Sequence, residues 1–445
     1  MPVNRLLLSM SLPMVLSMLV QALYNIVDSL FVARIGEDAL TAVSLAFPAQ
    51  MLMISVMGGT GVGMNAFLSK SLGERNWRRA NRIAANGLFL AFASFLVFAA
   101  MGVFLAGPFF AVQTDHPVIA GEGARYLRIC YLFSIGLVFQ MLCERLLQAT
   151  GKTLLSMYVQ LLGALTNIVL DPLLIFGLLG FPRLGVAGAA IATVVGQIAA
   201  AGLAVYLNVT RNGEIRPRWR GFRPEPLIIA KIYSVGVPSI AMASIGSIMV
   251  FGLNKILIGF SSTAAAVLGV YFKLQSFVFL PVFGLNNGMV PIISYNYGAR
   301  NRERLIHTIR LGVRYATGVM VLGFAVFQLL TPQLLAIFDA SPAMLAIGVP
   351  ALRKISLSFL FAGFCICTLT VCQALGHGLL SLVVSLVRQL VVLLPAAWLL
   401  ARIGGLPAVW WSFIIGELFS VGLCAWFLRR IHREEIAALG DAPEC

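Results

Sequence analysis

Charge is scarce in this 445-residue chain: Asp, Glu, Lys and Arg supply 11% of residues, against a hydrophobic fraction of 60%. A water-soluble domain of this size needs about twice that share of charge, so a globular enzyme or binding module in water is excluded and the bilayer is the solvent. Histidine occurs only four times, and no cluster of histidines or acids suggests the metal or catalytic centre of an integral-membrane enzyme. The seven cysteines (Cys130, Cys143, Cys365, Cys367, Cys372, Cys424 and Cys445) lie mostly in apolar stretches. Their spacing fits neither a metal site nor a paired extracellular framework, and they read as packing residues. A phosphate-binding loop is missing too: Gly151-Lys152-Thr153 looks like the end of one, but Leu146 stands where the first glycine belongs and no strand precedes it. The short alternating segments of a closed β-barrel are absent as well.

What is abundant is apolar sequence in runs long enough to cross a membrane, each needing roughly twenty residues. We place twelve spans at 6–32, 40–68, 83–110, 126–149, 154–179, 186–208, 228–258, 264–293, 305–330, 345–375, 379–400 and 406–428. The first run is too long for the apolar region of a signal peptide and has no small-residue cleavage pattern, so it reads as a retained span. The formal charge of +15 does not indicate a nucleic-acid partner, because the basic residues form no continuous face. They fall in every second loop: Lys70, Arg75, Arg78, Arg79 and Arg82; Arg211, Arg216, Arg218, Arg220 and Arg223; Arg300, Arg302 and Arg304; Arg429, Arg430 and Arg433. Asp115, Glu122 and Asp339 mark intervening loops. The positive-inside rule then puts both termini in the cytoplasm of a bacterial-type inner membrane.

The halves of the chain repeat. One offset of 225 aligns Pro13 with Pro238, Gln50 with Gln275, Gly59 with Gly284, Gly63 with Gly288, Arg75-Asn76 with Arg300-Asn301, Pro117 with Pro342 and Gly151 with Gly376. Towards the end the offset becomes 220, pairing Gly185 with Gly405 and Gly196 with Gly416. Six spans per half is an even number, so the repeat is parallel and its axis runs along the membrane normal. The expected fold is therefore an all-α polytopic membrane protein with two parallel six-helix lobes around a central cleft. Residues 1–209 form the N-terminal lobe, 210–227 a basic cytoplasmic linker, 228–430 the C-terminal lobe and 431–445 a cytoplasmic tail.

The first span carries Pro13, Gln21, Tyr24, Asn25, Asp28, Phe31 and Gly36, followed by Ala39-Leu40-Thr41-Ala42-Val43. With the Gly73-Glu-Arg-Asn76 loop and the run from Pro281 to Arg300, this pattern resembles the multidrug and toxic compound extrusion (MATE) family over essentially the whole chain. The resemblance implies cation-driven export of drugs from the cytoplasm. It also implies a cation site at Asp28, Asn167 and Asp171, with no acids in the second lobe matching those that some relatives carry there.

The residues point the same way without the family. A charged Asp at a helix centre costs about 2.5–3.5 kcal/mol even on permissive insertion scales, so Asp28 and Asp171 need a purpose. Asn167 and Asp171 are one turn apart and share a face, beside Pro172. Such oxygen ligands suit either a bound sodium ion or a carboxyl pair that holds a proton, with Gln21, Tyr24 and Asn25 as supporting polar groups. At the repeat offset, Asn25, Asp28, Asn167 and Asp171 meet Val250, Leu253, Val392 and Ala396, so the scaffold does not require carboxylates there.

The second lobe instead holds Lys255, Lys273 and Arg388 in or near its spans, as candidates for substrate contact or gating. Glu144-Arg145 reads as an interfacial pair, Glu417 as a polar contact within the bundle and His377 as a turn residue. The expectation is an antiporter exchanging amphipathic or cationic small molecules for H⁺ or Na⁺ by alternating access. It should act as a monomer in the lipid bilayer, without cofactor beyond the coupling ion and without enzymatic activity. Two other readings stay open: a lipid-linked oligosaccharide flippase of related fold, for which basic residues facing the cleft would speak, and a passive channel or non-transporting scaffold.

Overall fold

The computed structural model describes residues 1–216, 222–338 and 340–439. Arg218, Arg220, Asp339, Cys445 and the end of the tail lie outside the described residues. The described chain runs α1 Val3–Ala33, α2 Glu37–Gly73, α3 Trp77–Phe104, α4 Ala106–Gln113, α5 Pro117–Leu132, α6 Ile135–Ala149, α7 Thr153–Phe176 and α8 Val186–Arg211. The second half repeats it with α9 Pro226–Ile258, α10 Ser262–Gly298, α11 Arg302–Leu329, α12 Thr331–Ala336, α13 Pro342–Ser356, α14 Phe359–Leu375 and α15 Gly378–Leu386. A π-helical turn at Val387–Leu393 leads into α16 Leu394–Gly404, then α17 Leu406–Val409 and α18 Ser412–Ile431.

Among the described residues ten helical stretches are long and apolar enough to cross a membrane, and twelve if two bent pairs each count as one span. The bent pairs are α5 with α6, at 47°, and α13 with α14, at 50°. They begin at Pro117 and Pro342, which the offset of 225 superposes, so the bend itself is part of the repeat. At the second bend the Ser358 hydroxyl donates to the Ile355 carbonyl at 2.7 Å, competing with the helical ladder where it breaks. Hydropathy places spans four and ten correctly but does not show that they are broken.

Loop conformation repeats as faithfully as sequence. Asn76 and Asn301 each cap a helix, accepting from the Arg79 and Arg304 backbone N–H at 3.0 Å. Arg75 and Arg300 before them both adopt left-handed backbone, with φ 54° and 55°. Gly185 and Gly405 precede α8 and α17 with φ 56° and 64° and ψ −129° and −164°, a region that only glycine enters freely.

The chain divides into two compact units: residues 16–236, and residues 1–15 together with 237–445. The division falls inside α1 and α9. The first half of α9 therefore packs in the N-terminal unit, and the first half of α1 in the C-terminal unit. In the N-terminal unit Ile232 of α9 belongs to the core that includes Met57, Met64, Leu68, Leu142 and Leu147. Its carbonyl oxygen lies only 2.0 Å from where a Cβ on Gly63 would stand. In the C-terminal unit, α1 packs on the repeat partners: Gly284 against Val15 Cα, 2.7 Å from an added Cβ, and Gly288 against Ser11 Cα, at 2.9 Å. The glycines Gly59, Gly63, Gly284 and Gly288, seen in the sequence as repeat markers, are thus the seats of two exchanged half-helices. Close backbone approach of this kind is how helices bind each other where lipid removes the hydrophobic driving force.

The π turn has a consequence for the alignment. It inserts one residue into the second repeat, so beyond it Asp171 corresponds to Ala397, a fully buried alanine, one place on from Ala396. Both are apolar, and the asymmetry between the halves stands.

Candidate functional site

In the N-terminal unit the second half of α1, with α2, α5, α7 and α8, brings together the polar residues of one site. Asp171 is fully buried and Asn167 nearly so; Tyr24 and Asp28 are half-buried. The Asp28 and Asp171 carboxyl groups lie side by side across α1 and α7. Asp28 Oδ1 is left buried without any hydrogen-bond partner. With its amide oriented to satisfy both neighbours, Asn167 donates from Nδ2 to Asp171 Oδ2 at 3.1 Å and accepts from Thr193 Oγ1 of α8 at 3.3 Å. Tyr24 faces both aspartates and Cys130. Behind it Gln50 Nε2 of α2 donates to the Tyr126 hydroxyl at 3.3 Å and to Cys130 Sγ at 3.7 Å, both on α5.

Two carboxylates set side by side repel unless a proton or another cation lies between them, and an orphaned carboxylate oxygen inside a membrane protein is costly unless a cation satisfies it. Asp28, Asn167, Asp171 and Thr193 offer only oxygen ligands to an incoming ion, which fits H⁺ or a hard cation such as Na⁺ and not a thiolate- or imidazole-binding metal. Among the described residues no group of three or more His, Cys, Asp or Glu side chains could hold a metal.

Of the supporting residues read from the sequence, Tyr24 joins the site, whereas the Gln21 and Asn25 side chains are exposed. Thr193, Gln50, Tyr126 and Cys130 are the residues that sequence reasoning missed; the apolar setting of Cys130 reads as packing. The repeat contained the signal for most of them: Tyr24, Tyr126 and Cys130 meet Met249, Ala351 and Ile355 at offset 225, and Thr193 meets Phe413 at offset 220.

In the C-terminal unit the three basic candidates have different local partners. Arg388, on the π turn, pairs with Glu417 of α18 at 3.4 Å, so the polar contact expected of Glu417 is an ion pair. Lys255 and Lys273 are exposed, with their ammonium groups 5.8 Å from the Phe251 and Phe338 rings. His377 contacts Glu435 at 2.5 Å at the α14–α15 turn.

Two parallel six-span repeats are an architecture of membrane transporters. The MatE family model matches residues 13–173 and again 238–399. The chain belongs to the MATE family of multidrug efflux transporters. It is 26% identical to the FAD transporter of Shewanella oneidensis, over 99% of this chain and 97% of that protein. Against the multidrug export protein MepA of Staphylococcus aureus the identity is 25%, over 95% and 92%. Among solved structures, a multidrug-resistance MATE transporter of the MOP superfamily in an outward-facing conformation matches with TM-score 0.90 at 26% identity, covering 99% of this chain and 98% of that one.

Proposed function

We propose that the protein is an antiporter that expels amphipathic or cationic small molecules in exchange for H⁺ or Na⁺, with Asp28 and Asp171 as the coupling site and Asn167 and Thr193 holding it in register. The orphaned, buried Asp28 Oδ1 carries this reading. A cation arriving there satisfies that oxygen, and cation binding then favours whichever arrangement of the transporter offers the better ligand set. Binding and release of the cation on opposite sides of the membrane couple its gradient to the substrate. If one proton exchanges for one monovalent cation, net charge movement cancels. The pH difference alone then drives export at about 1.4 kcal/mol per unit, enough for roughly tenfold accumulation.

Purified protein in proteoliposomes, given a pH gradient and a Na⁺ gradient separately, tests the reading. Uphill accumulation of a fluorescent cationic substrate with one of the two supports it. Equilibration without accumulation under both identifies a channel or a scaffold.

A second reading has its own observation. Among the described residues, neither Lys255 nor Lys273 has a carboxylate within ion-pair distance, and exposed cations of this kind suit an anionic substrate. The FAD transporter among the relatives gives that reading a chemical form, a flavin nucleotide, and the oligosaccharide flippase shares it. Flavin nucleotide competing with dye efflux, with the effect lost in K255Q or K273Q, would favour it. The charge on Arg388, already balanced by Glu417, contributes less.

From the basic loops and the positive-inside rule we take both termini to be cytoplasmic, and we take the transporter to act as a monomer in the plasma membrane. In a cysteine-depleted background, a cysteine at Asn76 or Asn212 should react with an impermeant maleimide only after the inner membrane is opened, and one at Asp115 in intact spheroplasts. The reverse pattern would overturn the topology.

A further inference from the structure

The N-terminal unit holds another acid that the coupling site does not use. Glu144 lies on α6, five residues before its end at Ala149. Its Oε1 accepts from Gln140 Nε2 at 3.0 Å, and Gln140 also donates to Gln160 Oε1 of α7 at 3.1 Å. The Ser156 hydroxyl of α7 lies beside the same carboxylate and accepts from Gln148 Nε2 at 3.0 Å. Glu144 and the adjacent Arg145 attract each other, yet each bonds other side chains. Adjacent helical residues diverge by about 100°, and Arg145 turns to Gln148 Oε1 at 2.9 Å and lies against Gly61 of α2. The titratable neighbours of Glu144 are Arg145 and Cys143 on its own helix. From the packed elements come the neutral residues Ser156 and Gln160 of α7, Asn208 of α8, which donates to the Cys143 carbonyl, and Gly61 and Ser69 of α2, the latter near the Ala149 carbonyl. Among the described residues no cation stands within ion-pair distance of the Glu144 carboxylate.

Two further observations give this acid a direction and a purpose. Ser156, Gln160, Gly163, Asn167 and Asp171 follow one another at steps of four, three, four and four residues, a single face of α7 that leads from Glu144 to the Asp28–Asp171 pair. From Ser156 to Asp171 this face rises roughly 22 Å, so the two acidic stations sit towards opposite ends of the unit. Glu144 is the one at the end bearing the basic loops. The repeat then shows that packing does not require it: Gln148 and Ser156 recur as Gln373 and Ser381 in the second half, whereas Glu144 becomes the buried Leu369. The polar frame is common to both lobes, and the carboxylate belongs to the first alone.

We propose that Glu144 is a second exchange site for the coupling cation, in series with Asp28 and Asp171, at which the ion is handed to the side of the membrane that carries the basic loops. This rests on the antiport reading above. A carboxylate clamped in an ion pair stays ionised, but one whose hydrogen bonds come from neutral donors can exchange its cation with little disturbance of its surroundings. For H⁺ the step is simple: the carboxylate gains a proton and can then donate to a neighbouring oxygen such as Ser156 Oγ. For Na⁺ the ligands are the carboxylate, Gln160 Oε1 and Ser156 Oγ.

The test uses infrared difference spectroscopy on the purified full-length protein, with a pH step at fixed Na⁺ and a Na⁺ step at fixed pH, on wild type, E144Q, E144D and D171N. A carboxyl component absent from E144Q, shifted in E144D and retained in D171N is the expected result; its appearance in the pH step or the Na⁺ step tells which cation binds. In proteoliposomes E144Q should lose the roughly tenfold accumulation per pH unit yet keep downhill substrate exchange, and E144D should recover accumulation. Should E144Q fail to fold, E144L, which places the residue of the second repeat there, replaces it. Spectra of E144Q superimposable on wild type in both steps would overturn the proposal. If wild type shows no gradient-driven transport but the Glu144 component is present, the antiport reading falls and the cation site remains.

Discussion

Asp171→Asn and Asp28→Asn should each abolish gradient-driven accumulation in proteoliposomes, reducing it from roughly tenfold per pH unit to none, while the purified variants melt within a few degrees of wild type. Asparagine keeps the size and hydrogen-bonding capacity of the side chain but cannot give up a proton or present a charged oxygen. At Asp28 the change removes the orphaned Oδ1 that would receive the cation; at Asp171 it removes the other carboxyl of the shared pair and leaves the Asn167–Thr193 contact in place. Stability should be spared because the second repeat packs the corresponding places with Leu253 and Ala397, both fully buried. Substrate binding measured by dye quenching should persist. Full gradient-driven transport by either folded variant would show that coupling lies elsewhere. If K255Q or K273Q then stopped transport, the anionic-substrate reading would take its place.

Much of this site was legible before any coordinates. A membrane-buried acid is expensive enough to be noticed one residue at a time, and the repeat told which acids the scaffold could do without. Asp28 and Asp171 stand out in that way, and the structure brings them together with Asn167. Gln21 and Asn25 were judged by proximity in sequence to Asp28, and proximity along a helix does not decide which side of it a residue faces. Thr193, Tyr126 and Gln50 come from helices that only tertiary packing brings to α1 and α7. They are neutral and inexpensive to bury once bonded, so nothing in composition singles them out.

Glu144 shows the limit from the other direction. An acid next to an arginine in sequence looks paired, yet their side chains leave the helix in different directions and bond different neighbours. The twelve spans were legible for the reason that hydropathy works in lipid. The breaks within spans four and ten, the π turn and the exchange of half-helices were not, because each depends on how backbones pack and not on how apolar they are.

That exchange makes the second large prediction. Gly63→Ala should destabilise the protein by about 1–3 kcal/mol or more, the usual range for overpacking, seen as a clear drop in melting temperature in detergent. The new Cβ would stand 2.0 Å from the Ile232 carbonyl oxygen and 3.0 Å from its carbon. Both are backbone atoms of α9 that no rotamer change can move aside, so the half-helix itself must shift. Gly288→Ala repeats the experiment in the other unit, where Ser11 Oγ at 2.5 Å can rotate away but Ser11 Cα at 2.9 Å cannot, and a smaller drop is expected. Gly61→Ala meets only the Arg145 side chain, at 2.9 Å, and should cost least of the three. Gly202→Ala in α8 and Gly318→Ala in α11 meet nothing within 4 Å. There alanine's better helix propensity should leave stability unchanged or raise it by about 0.5–1 kcal/mol. An ordering of Gly63 worst, Gly288 next and the two open glycines neutral or better would establish that the exchanged half-helices are seated on these residues. If Gly63→Ala melted with wild type, α9 would not pack on α2 at this distance, and the account of why the repeat carries paired glycines would have to be abandoned.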